Sequence, residues 1–375
     1  MWFCKRPDTV GRNKKACRSM STAAHPPCLS RRLFTSGFAV AGSLLAAPGL
    51  HAQARGEFKP LEKTKLTLCV DGKSALGYLP LTIAQQLSYF TTEGLDVQVT
   101  DFADAGSAAQ AVINGAADVC VGSFDRTMSL HSKNHKFKAF VLLGRTPQLA
   151  FGGSTRSTLP LQITELRSKK LGVTALDSTS SVMIKLLLQR AGLQGNDVSF
   201  LPVGTSVGAI NALRSGQIDG LCSSEPVMTM LEQKGDIKII HDARTLTGTL
   251  ALFGGLVPSA CLYASSDFIQ KNPQTCQALT HAIVHSLKWL QTAGPGDIIN
   301  TVPANYLLGD RALYLAAFNN IRESISLDGL IPEEGAAATL KALSRYDSSL
   351  LAANINAAST YTNEFARRAK ARFRA

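Results

Sequence analysis

Four short segments of this sequence place glycine and hydroxyl residues where a helix is predicted to begin. The backbone N–H groups at a helix start have no partner within the helix and carry a partial positive charge, so they bind anionic groups without Lys or Arg. A Ser or Thr there can equally serve only as a helix cap. The segments are Gly77-Tyr78-Leu79, Gly106-Ser107, Ser178-Thr179-Ser180-Ser181 and Gly204-Thr205-Ser206, and Gly122-Ser123-Phe124 closes the set. We expect them to surround one anionic ligand group.

Acidic residues stand in the same regions. Asp71 follows the first predicted strand, Asp125 follows a later one, and Glu225 occupies the place in the second half of the chain that matches Asp125. The helix dipole alone favours such acids, so a local role is an open alternative. A carboxylate inside a closed cleft without a partner is costly. We therefore predict Asp71 and Glu225 as contacts to a donor or cationic end of the ligand.

The segment Gly204-Thr205-Ser206-Val207-Gly208 fits the G-x-S-x-G pattern between a predicted strand and a predicted helix. This context is typical of a hydrolase nucleophile, which also needs a histidine and an acid. Candidates lie downstream, namely His241, His281 and His285 with Asp219, Asp236 and Asp242. A serine esterase that uses Ser206 is thus the alternative function. Too few strands precede Ser206 for a complete hydrolase sheet, so we expect no enzymatic activity.

No combination of residues predicts a metal or cofactor site. His281 and His285 are four residues apart and can share one helix face, but no third ligand accompanies them. The five cysteines that follow residue 54 have scattered spacings and include no C-x-x-C pair. Most of them lie in apolar, strand-like runs. We expect them to be buried free thiols, and we expect neither metal nor cofactor.

The chain repeats itself once, and this repeat positions the segments described above. At a constant offset of 101 residues, Gly115 aligns with Gly216 and Asp118 aligns with Asp219. Each copy reads as strand, helix, G-x-x-D, strand and helix, with the glycine as a left-handed helix cap. Strands that alternate with helices predict a mostly parallel sheet covered by helices on both faces. Each copy is therefore predicted to form a small α/β lobe.

Two further segments recur at an offset of 102 residues, Phe151-Gly152-Gly153 and Phe253-Gly254-Gly255. Glycines suit a hinge because they absorb large backbone rotations, although a simple turn is the alternative. We interpret both segments as crossovers between lobes. The predicted lobe I comprises 60–152 plus 256–375, and lobe II comprises 153–255. Parallel sheets bind ligands at the carboxyl ends of their strands, so the cleft between the lobes is the predicted site.

The N-terminal 54 residues have the composition of an export signal. They carry +7 of the formal net charge of +12. Ser30-Arg31-Arg32 is a twin-arginine pattern, an apolar stretch follows it, and Ala52-Gln53-Ala54 fits a signal-peptidase site. The remaining charge is mild and has no aromatic-plus-basic motif, so nucleic-acid binding is not expected. We predict a periplasmic protein, exported by a twin-arginine signal peptide.

The order of these motifs resembles a known family. Gly77-Tyr78-Leu79-Pro80-Leu81, the two G-x-x-D steps and Glu225-Pro226 resemble the periplasmic binding proteins for nitrate, sulfonates, taurine and thiamine-pyrimidine precursors. The likeness covers residues from about 63 to 273. It implies a two-lobed type II periplasmic-binding fold and delivery of the ligand to the permease and ATPase of an ABC importer. The duplicated lobes and the paired crossovers predict a monomer. With the acids noted above, a taurine-like zwitterion or an amino-pyrimidine fits better than bare nitrate.

Overall fold

The computed structural model describes residues 60–102, 104–156 and 162–375. The predicted signal peptide lies outside these residues. Among the described residues, no helix combines the length and the apolar character that a membrane crossing needs. The strands are β1 (Lys65–Asp71), β2 (Asp96–Phe102), β3 (Val119–Ser123), β4 (Phe137–Leu142), β5 (Leu149–Ser154), β6 (Lys170–Val173), β7 (Ser199–Pro202), β8 (Gly220–Ser224), β9 (Ile237–Asp242) and β10 (Ala260–Ser265).

The helices surround these strands and continue to the C-terminus. They are α1 (Leu79–Gln86), α2 (Tyr89–Thr92), α3 (Ala105–Ile113), α4 (Asp125–Ser132), α5 (Thr179–Arg190), α6 (Val207–Arg214), α7 (Val227–Gln233), α8 (Leu246–Phe253), α9 (Ser266–Lys271), α10 (Pro273–Thr292), α11 (Pro295–Thr301), α12 (Arg311–Ile321), α13 (Glu333–Leu343), α14 (Ser348–Ala352) and α15 (Glu364–Phe373). Helix α10 packs between α1 and α15, so the C-terminal helices complete the first lobe.

The strands form two sheets with the same architecture. The first sheet has the order β2-β1-β3-β10-β4 and the second has the order β7-β6-β8-β5-β9. In each sheet one strand, β10 or β5, runs antiparallel to both of its neighbours, while the first three strands are parallel. The α/β class and the mostly parallel sheets expected from the alternating pattern are confirmed.

The repeated G-x-x-D motif performs the same structural task in both sheets. Gly115 and Gly216 have φ values of +75° and +78°, so they end their helices in the left-handed conformation that favours glycine. The Asp118 carboxylate then accepts a hydrogen bond from the backbone N–H of Thr67 over 3.0 Å, and Asp219 accepts one from Lys170 over 2.8 Å. Each aspartate thereby ties the beginning of one strand to the beginning of its parallel neighbour.

The first predicted crossover is misplaced. Phe151, Gly152 and Gly153 lie inside β5, paired on both sides with β8 and β9, so they are not a hinge. The chain passes from the first sheet to the second between residues 143 and 148, and lobe II therefore begins before residue 153. Gly152 is needed for close packing instead, because an added Cβ would approach the Ile237 side chain to 2.9 Å. Periodicity could not separate the end of β4 from β5, because both segments are apolar and buried.

The second crossover follows the prediction more closely. Helix α8 ends at Phe253, Gly254 caps it with a φ of +74°, and the chain then runs to β10 in the first sheet. Strands β5 and β10 run antiparallel to the other strands of their sheets, so they begin at the edge where the parallel strands end. Both crossovers therefore enter the new sheet at that edge. They therefore form the floor of the space between the lobes. Their movement as hinges stays a prediction.

The five cysteines of the described residues are buried and free, as expected. Cys69 and Cys120 are paired across β1 and β3, and Cys261 lies on β10 beside them. Burial raises the pKa of the Cys120 and Cys261 thiols well above the ordinary value. These thiols therefore stay protonated and behave as small apolar residues of the core.

Candidate functional site

A cavity lies between the lobes, at the ends of the parallel strands. Its volume is about 160 Å³. Lobe I supplies residues that follow β1 and β3, lobe II supplies residues that follow β6, β7 and β8, and both crossovers supply the floor. The polar residues of the lining are Asp71, Tyr78, Asp104, Ser123, Asp125, Arg126, Gln148, Thr174, Ser178, Thr179, Ser180, Thr205, Ser224 and Ser259. This is the position expected for a ligand in open α/β sheets.

Asp71 and Tyr78 form one side of the cavity. The Tyr78 hydroxyl donates a hydrogen bond to Asp71 Oδ1 over 2.7 Å. Burial raises the pKa of Asp71 to about 6, although the hydrogen bond from Tyr78 opposes this shift. Burial also raises the pKa of the Tyr78 phenol, so Tyr78 is a donor at neutral pH. Asp71 is thus a carboxylate that titrates close to physiological pH inside the cleft.

Asp125 and Arg126 open helix α4 and reach across to the second lobe. The Thr179 hydroxyl, at the start of α5, donates to Asp125 Oδ2 over 2.6 Å. Arg126 donates to the Asp177 carboxylate over 2.8 Å, and its side chain is 12% exposed. Burial alone would lower the pKa of Arg126, but the carboxylates of Asp125 and Asp177 raise it, so the guanidinium stays charged. These contacts join the two lobes over the cavity.

The hydroxyl residues of lobe II are held in a local network. The Ser178 hydroxyl donates to the carbonyl of Ala175 over 2.6 Å, and it lies 2.6 Å from the Ser180 hydroxyl. Ser180 Oγ accepts a hydrogen bond from the backbone N–H of Thr174 over 3.0 Å. These contacts shape the turn between β6 and α5 and leave Thr179 and Thr205 as hydroxyls at the surface of the cavity. Ser178 makes no side-chain cap hydrogen bond to α5, so its hydroxyl serves the turn, and the role of these hydroxyls as ligand contacts stays a prediction.

Glu225 does not face the cavity, which contradicts the predicted contact. Its side chain is 1% exposed, and Oε1 lies 2.5 Å from the guanidinium of Arg244. The backbone N–H and the hydroxyl of Thr229 also donate to the carboxylate. Burial raises the pKa of Glu225, while Arg244 and Thr229 oppose that effect. The carboxylate has protein partners already, so it belongs to the interior of lobe II; its neighbour Ser224 takes the place in the cavity.

Three further predicted contacts also lie away from the cavity. Phe124 is fully buried and packs edge-on against Tyr361, so it belongs to the hydrophobic core. Gly106 and Ser107 lie in the first turn of α3, where the backbone N–H and the hydroxyl of Ser107 donate to Asp104. Asp104 itself lines the cavity as the N-cap of α3. The start of α3 thus borders the cavity as predicted, but Asp104 lines it and Gly106 and Ser107 do not.

Sequence reasoning missed two residues with strong polar groups, Arg126 and Gln148. The sequence shows no clear constellation of Arg or Lys for the cleft, yet Arg126, the second residue of α4, lines the cavity. The adjacent Asp125, considered above as an acid at this helix start, could have pointed to Arg126 as well. Gln148 lies in the first crossover, which was misplaced, so no sequence signal pointed to it. Asp71, Gly77, Tyr78, Ser123, Ser178, Thr179, Ser180 and Thr205 do line the cavity.

Ser206 lacks the surroundings of a catalytic nucleophile. It is an exposed residue at the start of α6. Among the described residues, no histidine forms a hydrogen bond with it. His241 contacts the carbonyl of Gly248 over 3.2 Å, and His281 contacts Glu93 and Gln277. The candidate histidines therefore have structural partners elsewhere in the molecule.

Comparison with known proteins agrees with this architecture. Residues 77–293 match the family described as NMT1/THI5 like. A solved protein of Bordetella bronchiseptica RB50 is 46% identical, with a TM-score of 0.80 over 84% of this chain and 100% of that chain. The alkanesulfonate-binding protein SsuA from Xanthomonas axonopodis pv. citri, bound to MOPS, is 12% identical, with a TM-score of 0.64 over 81% of this chain and 100% of that chain.

A third solved structure is the periplasmic nitrate-binding protein NrtA from Synechocystis PCC 6803. It is 15% identical, with a TM-score of 0.63 over 84% of this chain and 90% of that chain. Because the family match covers more than half of the sequence, the chain belongs to the NMT1/THI5 like family. Its fold is that of the periplasmic binding proteins, as the resemblance implied.

Proposed function

We propose that this chain is the substrate-binding component of an ABC importer, exported to the periplasm, and that it holds one small organic solute between its lobes. The observation that carries the proposal is the pair of contacts across the cavity, from Arg126 to Asp177 and from Thr179 to Asp125. They join two lobes that share no strand. A clamp of this kind encloses a ligand and releases it when the lobes separate. The twin-arginine pattern supports export.

The charge of the cavity favours a particular ligand. Three carboxylates, those of Asp71, Asp104 and Asp125, line it with one guanidinium, that of Arg126. A bare nitrate or a simple alkanesulfonate would meet more repulsion than attraction there. A ligand that carries a donor or cationic group besides an anionic or polar one would be matched on both sides. We propose a taurine-like zwitterion or an amino-pyrimidine as the solute class.

Scattering and calorimetry test this proposal. The purified protein is measured alone and with taurine, 4-aminopyrimidine or methanesulfonate. We expect a monomer, one-to-one binding of a donor-bearing probe, and a smaller radius of gyration in the complex. A radius that stays unchanged at saturation would contradict the clamp. Stronger binding of methanesulfonate than of either donor-bearing probe would contradict the proposed solute class but leave the clamp intact.

No observation favours the esterase alternative. Ser206 has no histidine partner among the described residues, and the related folds include an alkanesulfonate-binding protein and a nitrate-binding protein. We therefore propose that the chain has no hydrolytic activity.

A further inference from the structure

Gln148 lines the cavity with a left-handed backbone conformation and a polar side chain that is almost completely buried. It lies in the first crossover, directly before β5, with a φ of +54°. Residues other than glycine rarely adopt this left-handed conformation, because it costs them roughly 1 kcal/mol or more. Residues that do adopt it cluster at ligand-binding sites. Gln148 is 4% exposed, and it is part of the cavity floor. The conformation turns its side chain toward the ligand space.

Two glycines make room for the Gln148 amide. A Cβ added to Gly77 would lie 3.0 Å from Gln148 Oε1, and a Cβ added to Gly144 would lie 2.9 Å from Nε2. Neither glycine has a positive φ, so the available space, not the backbone conformation, explains the residue type. This finding gives Gly77 a different role from the predicted ligand contact. It accommodates the side chain that reaches the ligand.

The Gln148 amide has no hydrogen-bond partner among the described residues. Its backbone N–H donates to Thr146 Oγ1 over 3.3 Å, but the side-chain oxygen and nitrogen contact no protein donor or acceptor. Neither atom is among the fully buried side-chain atoms without a partner, so the amide keeps some access to the cavity that Gln148 lines. Its oxygen lies beside Gly77 and its nitrogen beside Gly144 at the border of the cavity, so both are available to a ligand that fills this space.

The walls beside Gln148 are apolar. Pro147, Leu149 and Pro258 line the same part of the cavity. The hydroxyl of Ser259 is already used, since it donates to the carbonyl of Gly144 over 3.1 Å. Apolar side chains beside one amide suit a flat ring that carries the complementary donor and acceptor on the edge that meets Gln148, while the polar residues of the lining face the rest of the ligand.

We infer that Gln148 selects the ligand through a bidentate hydrogen bond to a planar edge with a donor beside an acceptor, as in an amide or a lactam. This inference rests on the proposed function and adds a specificity-determining residue to it; of the two proposed solute classes it favours the amino-pyrimidine, whose amino group and ring nitrogen form such an edge. Because Gln148 belongs to the crossover between the sheets, the same contact fixes the crossover conformation when the ligand is bound. Ligand recognition and lobe closure thus share one residue.

Matched pairs of probes test the inference by calorimetry on the purified protein. Uracil is compared with 1,3-dimethyluracil, which lacks the N–H donors, and nicotinamide is compared with nicotinate, which lacks the amide donor. We expect the first member of each pair to bind and the second to bind at least tenfold more weakly. Gln148→Gly should weaken uracil and nicotinamide roughly 10- to 100-fold, because both hydrogen bonds are lost.

The variants separate recognition from folding. Glycine favours a positive φ, so Gln148→Gly removes the amide and keeps the crossover conformation, and its melting temperature should stay close to that of the wild type. Gly77→Ala provides a second measurement, since it displaces the amide without removing it and should weaken the same probes.

Three results would overturn the inference. They are equal binding of both members of each pair, an affinity of Gln148→Gly within twofold of the wild type, and a failure of both amide probes to bind the wild type at millimolar concentration. If taurine closes the lobes in that last case, the proposed function stands and only the role of Gln148 fails. If methanesulfonate alone closes them, the clamp stands and the proposed solute class fails as well. If no probe of any class closes the lobes, both fail.

Discussion

Arg126 and Asp177 face each other from different lobes, and the guanidinium donates to the carboxylate over 2.8 Å. The two side chains differ in exposure, at 12% for Arg126 and 65% for Asp177. A half-exposed ion pair of this kind contributes little to folding stability, about 1 kcal/mol or less. In the proposed clamp the two lobes separate during ligand release, so the effect of this ion pair should fall on the equilibrium between open and closed forms.

Arg126→Gln should therefore shift the protein toward the open form. The ligand-free radius of gyration should increase, and the affinity for the best ligand should fall about fivefold or more, since closure loses both this ion pair and a cavity-lining charge. Arg167→Gln is the matched control, because Arg167 pairs with Asp197 inside lobe II over 2.5 Å. A change of radius in the control as large as that in Arg126→Gln would show that the effect is not specific to the cleft.

Asp71 should make stability depend on pH. Its pKa is raised in the folded protein from the ordinary value of 3.8 to about 6. Between these pH values the folded state binds more protons than the unfolded state, so the free energy of unfolding decreases as the pH rises from about 4 to about 6. Asp71→Asn should lose less stability than the wild type over this window. Denaturant unfolding of both proteins at pH 4 and pH 7 measures the difference.

The same titration should control ligand binding. A cationic or donor group is matched by the ionised form of Asp71, so the affinity for such a ligand should fall as the pH falls below about 6. In Asp71→Asn the affinity should be lower at neutral pH and independent of pH in this range. Tyr78→Phe removes the hydrogen bond that favours the ionised form, so it should move the midpoint to higher pH. Calorimetry from pH 5 to pH 8 distinguishes these outcomes.

Arg244 should be essential for the stability of lobe II and not for recognition. Arg244→Met leaves the buried Glu225 carboxylate without its ion-pair partner, which should cost about 3–5 kcal/mol of unfolding free energy. The double variant Arg244→Met with Glu225→Gln should recover part of this loss. Glu225→Gln alone should leave the best ligand's affinity within about twofold, measured by calorimetry. A much larger loss of affinity in Glu225→Gln would show that Glu225 contributes to ligand binding.

Ser206 should have no catalytic role. The wild type and Ser206→Ala are compared on short-chain nitrophenyl esters, and neither should show turnover above the background. Turnover by the wild type that disappears in Ser206→Ala would contradict the binding-protein proposal and support the esterase.

Much of the fold could be predicted from the sequence because the decisive signals are local. A glycine that caps a helix and an aspartate that opens the next strand act within a few residues of each other, so Gly115-x-x-Asp118 and Gly216-x-x-Asp219 identify both lobes. The strand ends then locate the cavity, since parallel strands end at one edge. Asp71, Tyr78 and Thr179 were found in this way. The first crossover was not, because β4 and β5 are both buried and apolar.

The sequence by itself determined the two α/β lobes, the edge that forms the cleft and the helix starts that border it, because each depends on hydrophobic periodicity and on local turn chemistry. The tertiary structure alone decided which side chain at each helix start borders the cavity. Glu225 turns inward because Arg244, 19 residues away, lies beside it. The Gln148 amide has space at the cavity because Gly77, far from it in sequence, and Gly144, in the same crossover, carry no side chain. The direction in which such a side chain points depends on packing between helices and strands, and no local sequence pattern encodes that packing.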